Sequence, residues 1–573
     1  MWIGALENGI PMTQRLTGSL KASVSKACLR IATPHESRLT AAGIYGPWVS
    51  GYADKRSSLH VLLVLHNYRP LLRAHHRTLG ETRLFILTVD QRALERDVTR
   101  GWLGEFVAEK LTVPYEPLMN EEYLSLQEVK AKRRIISELL ENIILEFPEL
   151  SHELHIRPEY FMYESMMRRA RLFPPLTFSF LNMLRRSLKG RNVESMMKGY
   201  LKALDQLKEE NAVEFSNGYV RITRNLISAT KSRKLRVPNF LKSFQRAVLL
   251  NLLGILPKMM QPLLHDEDIF SESHRGHKTD LPLLQLQNPR KHLLMPTPLG
   301  LVPLSNRTSI KDFARKVIPG GPSDIKIEKI GGVLNDVYLL SLRRKHEEQR
   351  VVVKRFIDWS GFKWFPLALW TLGTKSFAVF AQSRLERQYA INQFLHSQGF
   401  PVPRVLYVSP QERLIFEELV EGEELVEAIR QIISSNGNAT KEVALIKEAG
   451  RKIAQAHRLG VSLGDSKPEN IIVTQDGELC FVDFEQATRD GDWAWDVAEF
   501  LYYSGHYVSP VSTARAAEVI TKEFIDGYLE AGGKKETVRK ASSSRYTKVF
   551  SIFTPLHVIL AISNLCKKMG KEA

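Results

Sequence analysis

Apolar and polar positions change rhythm several times along the chain, and each change marks a different kind of element. Over residues 39–90 the apolar residues fall in the short runs "AAGIYGPWV", "LHVLLVL" and "TRLFILTVD", with the mixed stretch "RPLLRAHHRTLG" before the last. That rhythm predicts strand, loop, strand, helix, strand, a small α/β unit. From about residue 102 to residue 190 apolar positions recur three and four apart, as in "EEYLSLQEVKAKRRIISELLENIILEF", so this region is expected to be helical. Next, "NVESMMKGYLKALDQLKEEN" reads as an amphipathic helix and "AVEFSNGYVRIT" as two alternating strands around Asn217-Gly218. Asn-Gly supplies the φ > 0 positions of a type I′ turn, which predicts a β-hairpin, and helix plus hairpin resembles a winged-helix unit.

Periodicity fades over residues 265–310, where Pro, Ser, Asn and Asp gather in a linker composition. Beyond it, "RVVVKRF" predicts a strand carrying Lys354, and "SRLERQYAINQFLHSQGF" an amphipathic helix with Glu386 near its start. "LIFEELVEGEEL" reads as a strand running into a hinge. "NIIV" and "ELCFVDF" flank Asp476-Gly477, a favoured two-residue hairpin loop. On that turn Asn470 directly faces Asp483, with Cβ atoms about 4.5–5.5 Å apart.

One amide oxygen and one carboxylate at that separation suit Mg²⁺, which takes oxygen ligands and shares its shell with water and substrate phosphates. Asp465 precedes Asn470 on the loop entering the hairpin and is placed to accept a proton from an attacking hydroxyl. Lys467 brings positive charge to where a transferred phosphoryl group develops negative charge. "GDSKPEN" followed by "VDFEQA" resembles the catalytic and metal-binding loops of the protein kinase-like superfamily, over about residues 321–573.

The resemblance implies a two-lobed fold using ATP and Mg²⁺, with Asp465 as base, Lys467 on the γ-phosphate, and Asn470 and Asp483 as metal ligands. Lys354 would hold the α- and β-phosphates, ion-paired with Glu386. Gly331, Gly332 and Asn335 of "IGGVLNDVYLLSL" would cover the phosphates, a loop similar to those of choline kinase-like and aminoglycoside phosphotransferase-like enzymes. Glu418, Leu419 and Val420 would meet adenine. Three departures stand out. Leu463-Gly464 replaces the usual His-Arg, Glu485 replaces a glycine, and only about ten residues separate Asp483 from "WAWDVAEF". They resemble the atypical members: RIO kinases, the small kinase of the tRNA threonylcarbamoyladenosine complex, and lipopolysaccharide heptose or Kdo kinases. Asp496 fits either an aspartate steadying the catalytic loop through backbone N–H groups or a plain helix-N-terminal carboxylate.

Nearer the start, "GPWVSGYADKRSSLHVLLVL" resembles the opening of DNA polymerase beta-like nucleotidyltransferases. Ser58-Leu59-His60 stands where the metal-binding Asp-x-Asp belongs, so the chemistry is expected to be lost. Asp90 is the expected surviving acid.

Composition narrows the picture further. With 573 residues, 44% of them hydrophobic, the chain has material for several cores. The net charge of +17 favours anionic partners: ATP and, in a third reading, nucleic acid bound through the winged-helix-like part, the kinase part then serving as an ATPase switch. Three cysteines without CxxC spacing argue against a disulfide framework or zinc site and for a cytoplasmic protein. The apolar stretches 247–264 and 364–381 are interrupted before reaching the ~18 residues a bilayer span needs, so no transmembrane segment is expected. The expected organisation is an α+β multidomain chain: leader 1–30, degenerate nucleotidyltransferase-like domain 31–110, helical region 111–190, winged-helix-like region 191–264, linker 265–310 and kinase-like domain 311–573. The expected acceptor is a protein Ser/Thr hydroxyl, with a small hydroxylated molecule or glycolipid as the alternative.

Overall fold

The computed structural model describes residues 16–33, 38–173, 175–232, 286–317, 324–331, 335–344, 347–358, 378–489 and 491–571. Gly332, the first half of the leader, residues 233–264 of the winged-helix-like region with the whole apolar stretch 247–264, residues 265–285 of the linker and most of the stretch 364–381 lie outside them. The chain divides into two compact units, residues 1–146 with 154–294, and residues 147–153 with 295–573. The short segment 147–153 thus belongs with the second unit although it is embedded in the sequence of the first.

In the first unit, β1 (Arg38–Tyr45), β2 (Leu59–His66), β3 (Leu72–Leu79), β4 (Thr82–Asp90) and β5 (Tyr115–Met119) form one sheet in the order β3-β4-β2-β1-β5. β2 and β4 are parallel and the other neighbours antiparallel. Both faces are covered, which is why β2 reads as an unbroken apolar run. Leu62 and Val64 enter one core with Leu87 and Val89, while Val61, Leu63 and Leu65 enter the other with Leu84 and Ile86. α1 (Gly18–Ala32) covers the second core; α2 (Pro47–Ser50) follows β1, and α3 (Gln91–Arg100) and α4 (Glu121–Glu146) cover the first.

The helix expected over "RPLLRAHHRTLG" is instead β3. Gly80, at φ 58°, and Glu81 turn the chain so that Leu79 pairs with Thr82, and the exposed Arg73 and Arg77 mark an edge strand. Asp90 is not a free acid. It caps α3, accepting from the Arg92 and Ala93 N–H groups, while its other oxygen accepts from the Tyr68 N–H. His60 is buried between the rings of Tyr45 and Phe85.

After α4 come β6 (His155–Ile156), α5 (Glu159–Leu172), α6 (Leu176–Met183), α7 (Lys189–Glu209), β7 (Val213–Ser216), β8 (Tyr219–Ile222) and α8 (Arg224–Ser232). Ser216 pairs with Tyr219 across Asn217 and Gly218, whose φ values of 50° and 80° make the expected two-residue turn. β6 pairs with β8 and with the first residues of β9 (Leu293–Thr297).

The second unit continues through β10 (Gly300–Pro303) and α9 (Ile310–Val317) into an antiparallel sheet of β11 (Asp324–Gly331), β12 (Asn335–Arg344), β13 (Glu347–Phe356), β14 (Val405–Ser409) and β15 (Leu414–Glu418). Their order is β11-β12-β13-β15-β14, with α10 (Ala381–Ser397) between β13 and β14 in the chain. β16 (Gly422–Glu424) leads to α11 (Leu425–Ser434), α12 (Thr440–Arg458), β17 (Val461–Ser462), β18 (Ile471–Thr474), β19 (Leu479–Phe481) and β20 (Thr488–Arg489). α13 (Trp493–His506), α14 (Arg515–Glu530), α15 (Lys535–Ala541), α16 (Ser544–Phe550) and α17 (Leu556–Met569) complete it. α12 and α14 touch backbone to backbone at two glycines. A Cβ on Gly450 would lie 2.1 Å from the Phe524 carbonyl oxygen, and one on Gly527 2.0 Å from that of Lys447. Among the described residues no helix is long and apolar enough to cross a membrane.

Candidate active site

β18 and β19 lie between Asn470 and Asp483, the two residues expected to hold the metal, and are joined by a longer turn than expected. Ile471 pairs with Phe481, Ile472 with Cys480 and Val473 with Leu479. The loop is three residues, Gln475-Asp476-Gly477, with the Gly477 N–H donating to the Thr474 carbonyl at 2.9 Å and Gly477 at φ 80°. An odd loop shifts the register by one, so Asn470 faces Val482 and not Asp483; the Val482 N–H donates to the Asn470 carbonyl at 2.9 Å. A one-residue slip sends a side chain to the opposite face of a strand. Asp483 departs from the ladder with φ 65°, a left-handed conformation uncommon for a non-glycine residue.

Lys354, on β13, is 8% exposed and places Nζ 3.0 Å from Asp483 Oδ1. The expected ion pair with Glu386 is not formed. Glu386 is buried on α10 and accepts from Gln382 Nε2 at 2.9 Å. Burial lowers a lysine's pKa, but Asp483, then Glu485 and Glu417, outweigh it and hold Lys354 above its ordinary value. Burial raises the Asp483 carboxyl, and Lys354 followed by Lys467 more than offsets it, leaving the group below the usual carboxylate range.

On the loop entering the hairpin, Lys467 Nζ donates to Asp465 Oδ2 at 3.0 Å. Burial acts against the Lys467 charge, but Asp465, Glu499 and Asp483 raise its pKa on balance. Asn470 Nδ2 donates to the Asp465 carbonyl at 2.9 Å, which leaves the amide oxygen as the atom available to a cation. Asp465, Lys467, Asp483 and Lys354 are therefore linked as alternating charges.

The loop itself is held from below. Asp496 accepts from the Leu463 and Gly464 N–H groups at 2.8 and 2.7 Å, the tie expected of an aspartate that steadies this loop. Gly464, at φ 76°, occupies a conformation that favours glycine and so explains the missing arginine there. His457, invisible to the motif reading, fills the space beneath: its Nε2 is 3.0 Å from Asp496 Oδ2 and its Nδ1 2.8 Å from the Tyr528 hydroxyl.

The remaining expected residues lie on or beside the five-stranded sheet of the second unit. Gly331 ends β11 opposite Val337. Asn335 opens β12, and its Nδ2 donates to Glu485 Oε2. Glu418 ends β15 with its N–H donated to the Arg404 carbonyl at 3.0 Å, so this amide is already engaged. Leu419 and Val420 follow in the connection to β16.

Sequence reasoning also missed the partners of Glu485. Arg384, fully buried on α10, donates from Nη1 to both Glu485 oxygens at 3.2 Å and from Nη2 to the Ile357 carbonyl. Arg384, Gln388 and Asn392 form a row of buried polar residues spaced four apart along α10, among Ala381, Leu385, Ile391 and Leu395.

Residues 343–500 match the family model described as "Lipopolysaccharide kinase (Kdo/WaaP) family". The chain is 32% identical over 144 residues to a "Probable serine/threonine-protein kinase BUD32 homolog" of Archaeoglobus fulgidus, covering 25% of this chain and 64% of that protein. It is 30% identical over 92 residues to the "KEOPS complex subunit Bud32" of Pyrococcus abyssi, covering 16% of this chain and 39% of the relative. A third likeness, 27% over 138 residues, is to the "Serine/threonine-protein kinase cds1" of Schizosaccharomyces pombe, covering 23% and 29%. The chain thus spans less than two thirds of the length of each. With the geometry above, these likenesses make residues 343–500 of the second unit similar to atypical members of the protein kinase-like superfamily.

Proposed function

We propose that the second unit transfers the γ-phosphoryl group of ATP to a hydroxyl acceptor. The observation that carries this reading is the alternation of Asp465, Lys467, Asp483 and Lys354 around one loop and one strand. Asp465 takes the hydroxyl proton as the acceptor attacks, and Lys467 lies beside it to balance charge on the moving phosphoryl group. Lys354, held protonated, grips the phosphates already bound. Asn470 Oδ1 and the Asp483 carboxylate are hard oxygen donors of the kind Mg²⁺ takes, and they would hold it from positions that are not directly opposed in the ladder. That ion, when bound, neutralises the phosphate oxygens. Leu419 and Val420 offer backbone groups to adenine.

The acceptor we favour is a protein Ser or Thr hydroxyl, supported by the Asp-Ser-Lys-Pro-Glu-Asn loop and by the likeness to two proteins named as serine/threonine-protein kinases. A glycolipid or small hydroxylated molecule is the second reading. It is favoured by the match of residues 343–500 to the lipopolysaccharide kinase family and by the short path from Asp483 to Trp493. Incubation with γ-labelled ATP and Mg²⁺ tests both. Label on this chain or a generic protein supports the first acceptor, and label only on sugars or alcohols supports the second. No transfer to any acceptor, with no ATP turnover, overturns the proposal.

A further inference from the structure

The three residues that follow Asp483 are each held by α10 or by the chain leading into it. The Phe484 N–H donates to Gln388 Oε1 at 2.6 Å, and Gln388 Nε2 donates onward to Glu417 Oε1 on β15 at 2.7 Å. Glu485 takes both bonds from Arg384, with side-chain exposures of 3% and 0%. Gln486 exchanges a pair of hydrogen bonds with the Ala378 backbone, at 2.8 and 3.2 Å. Asn335, at the start of β12, donates to the second Glu485 oxygen, so the strand beside the phosphate-covering loop is tied into the same group.

A buried carboxylate at this point is costly unless it is paired and hydrogen-bonded. Its partners come from two separate parts of the chain, β12 and α10, so one carboxylate joins both of them to the metal loop that carries it. Lys354 meanwhile pairs with Asp483 and leaves α10 unattached to β13 by that route. We propose that Arg384 and Glu485 are a positioning pair that sets α10, the start of β12 and the metal loop as one body, presenting Asp483 to the metal–nucleotide complex. Glu485 then acts through Asp483 and is not itself a metal ligand. This inference rests on the phosphotransfer reading, and it assigns to Arg384 the orienting role expected of Glu386.

The test separates positioning from packing. Replacing a buried ion pair by apolar residues of similar volume commonly preserves stability, whereas removing one partner does not. The double variant Arg384→Met/Glu485→Met in the full chain is therefore expected to melt close to the parent. Its ATP affinity in the presence of Mg²⁺ should fall at least tenfold, while affinity for ATP in EDTA changes less than twofold. A second variant, Glu485→Asp, keeps the charge but shortens the reach, and is expected to lose the same Mg²⁺-dependent part of the affinity. If either variant folds and retains the parent's Mg²⁺-dependent gain in ATP affinity, the positioning role is overturned. If the parent chain itself binds no ATP with or without Mg²⁺, the phosphotransfer reading falls, and this inference with it.

Discussion

Lys354 Nζ and Asp483 Oδ1 lie 3.0 Å apart, joining the strand lysine directly to the acid of the proposed metal loop. The pair is part-buried, so each member depends on the other for compensation of its charge. Asp483→Asn is expected to weaken Mg-ATP binding by at least tenfold and to lower stability by about 1–3 kcal/mol. Isothermal titration and urea unfolding measure the two effects. Parent-like values in both would remove Asp483 from the site.

Asp465→Asn should behave differently. The substitution keeps a side chain of the same shape beside Lys467 but removes the proton acceptor, so kcat is expected to fall by roughly 10²–10⁴-fold. ATP affinity should stay within about threefold of the parent, because no phosphate contact is assigned to Asp465. Undiminished turnover in this variant would refute its assignment as base.

Asp496 meets the loop of the proposed base through backbone N–H groups. Its carboxylate accepts from two loop N–H groups and faces His457, and each such bond to a charged acceptor contributes about 1.5–3 kcal/mol. Asp496→Ala is expected to lower both Tm and kcat, with the larger loss in kcat when assayed well below Tm. Loss of stability alone, with kcat unchanged, would make Asp496 a packing residue only.

Glu105 supplies a pH test in the first unit. Burial raises its pKa, but Arg134 and Arg169 outweigh that and hold it at about 2. A carboxyl depressed in the folded state stabilises above its unfolded pKa of about 4.3, and that contribution is lost as pH falls toward the folded value. Glu105→Gln should therefore cost about 2–3 kcal/mol at neutral pH, with the difference from the parent shrinking below about pH 4. Denaturant unfolding between about pH 3 and pH 7 reads it, in buffers where the parent remains folded. A difference independent of pH would contradict the ion-pair account.

The α12–α14 contact gives a steric prediction. At Gly450 an added Cβ meets a backbone oxygen, which cannot move aside as a flexible side chain can. Gly450→Ala is expected to cost about 3 kcal/mol or more, at the upper end of overpacking, seen as a lowered Tm. An unchanged Tm would mean that the helices separate without penalty.

How much of this was legible in the chain follows from which features are local. The Asn217-Gly218 hairpin is written in adjacent residues, and so are the loop residues Asp465, Lys467 and Asn470. The tie from Asp496 was one of two open readings, and its contacts chose between them. Register was the first casualty: Asp-Gly fits a two- or a three-residue turn, and only the ladder distinguishes them. β3 misled because an edge strand with Arg and His on its open side lacks clean alternation. Partner choice for Lys354 was unreadable, since Glu386, Glu417, Glu485 and Asp483 are equivalent as sequence and differ only in where the fold brings them. The burial of Arg384 depends on a glutamate 101 positions away.

Arg489, just past the metal loop, has its guanidinium 3.0 Å from Glu153 and 4.6 Å from the centre of the Phe394 ring, and its N–H reaches Glu149. Both glutamates come from the segment 147–153, inserted between α4 and β6. A kinase-like half severed at residue 295 would therefore arrive without two of its own acids, and domain-by-domain dissection of this protein would have to return that peptide in trans or graft it back.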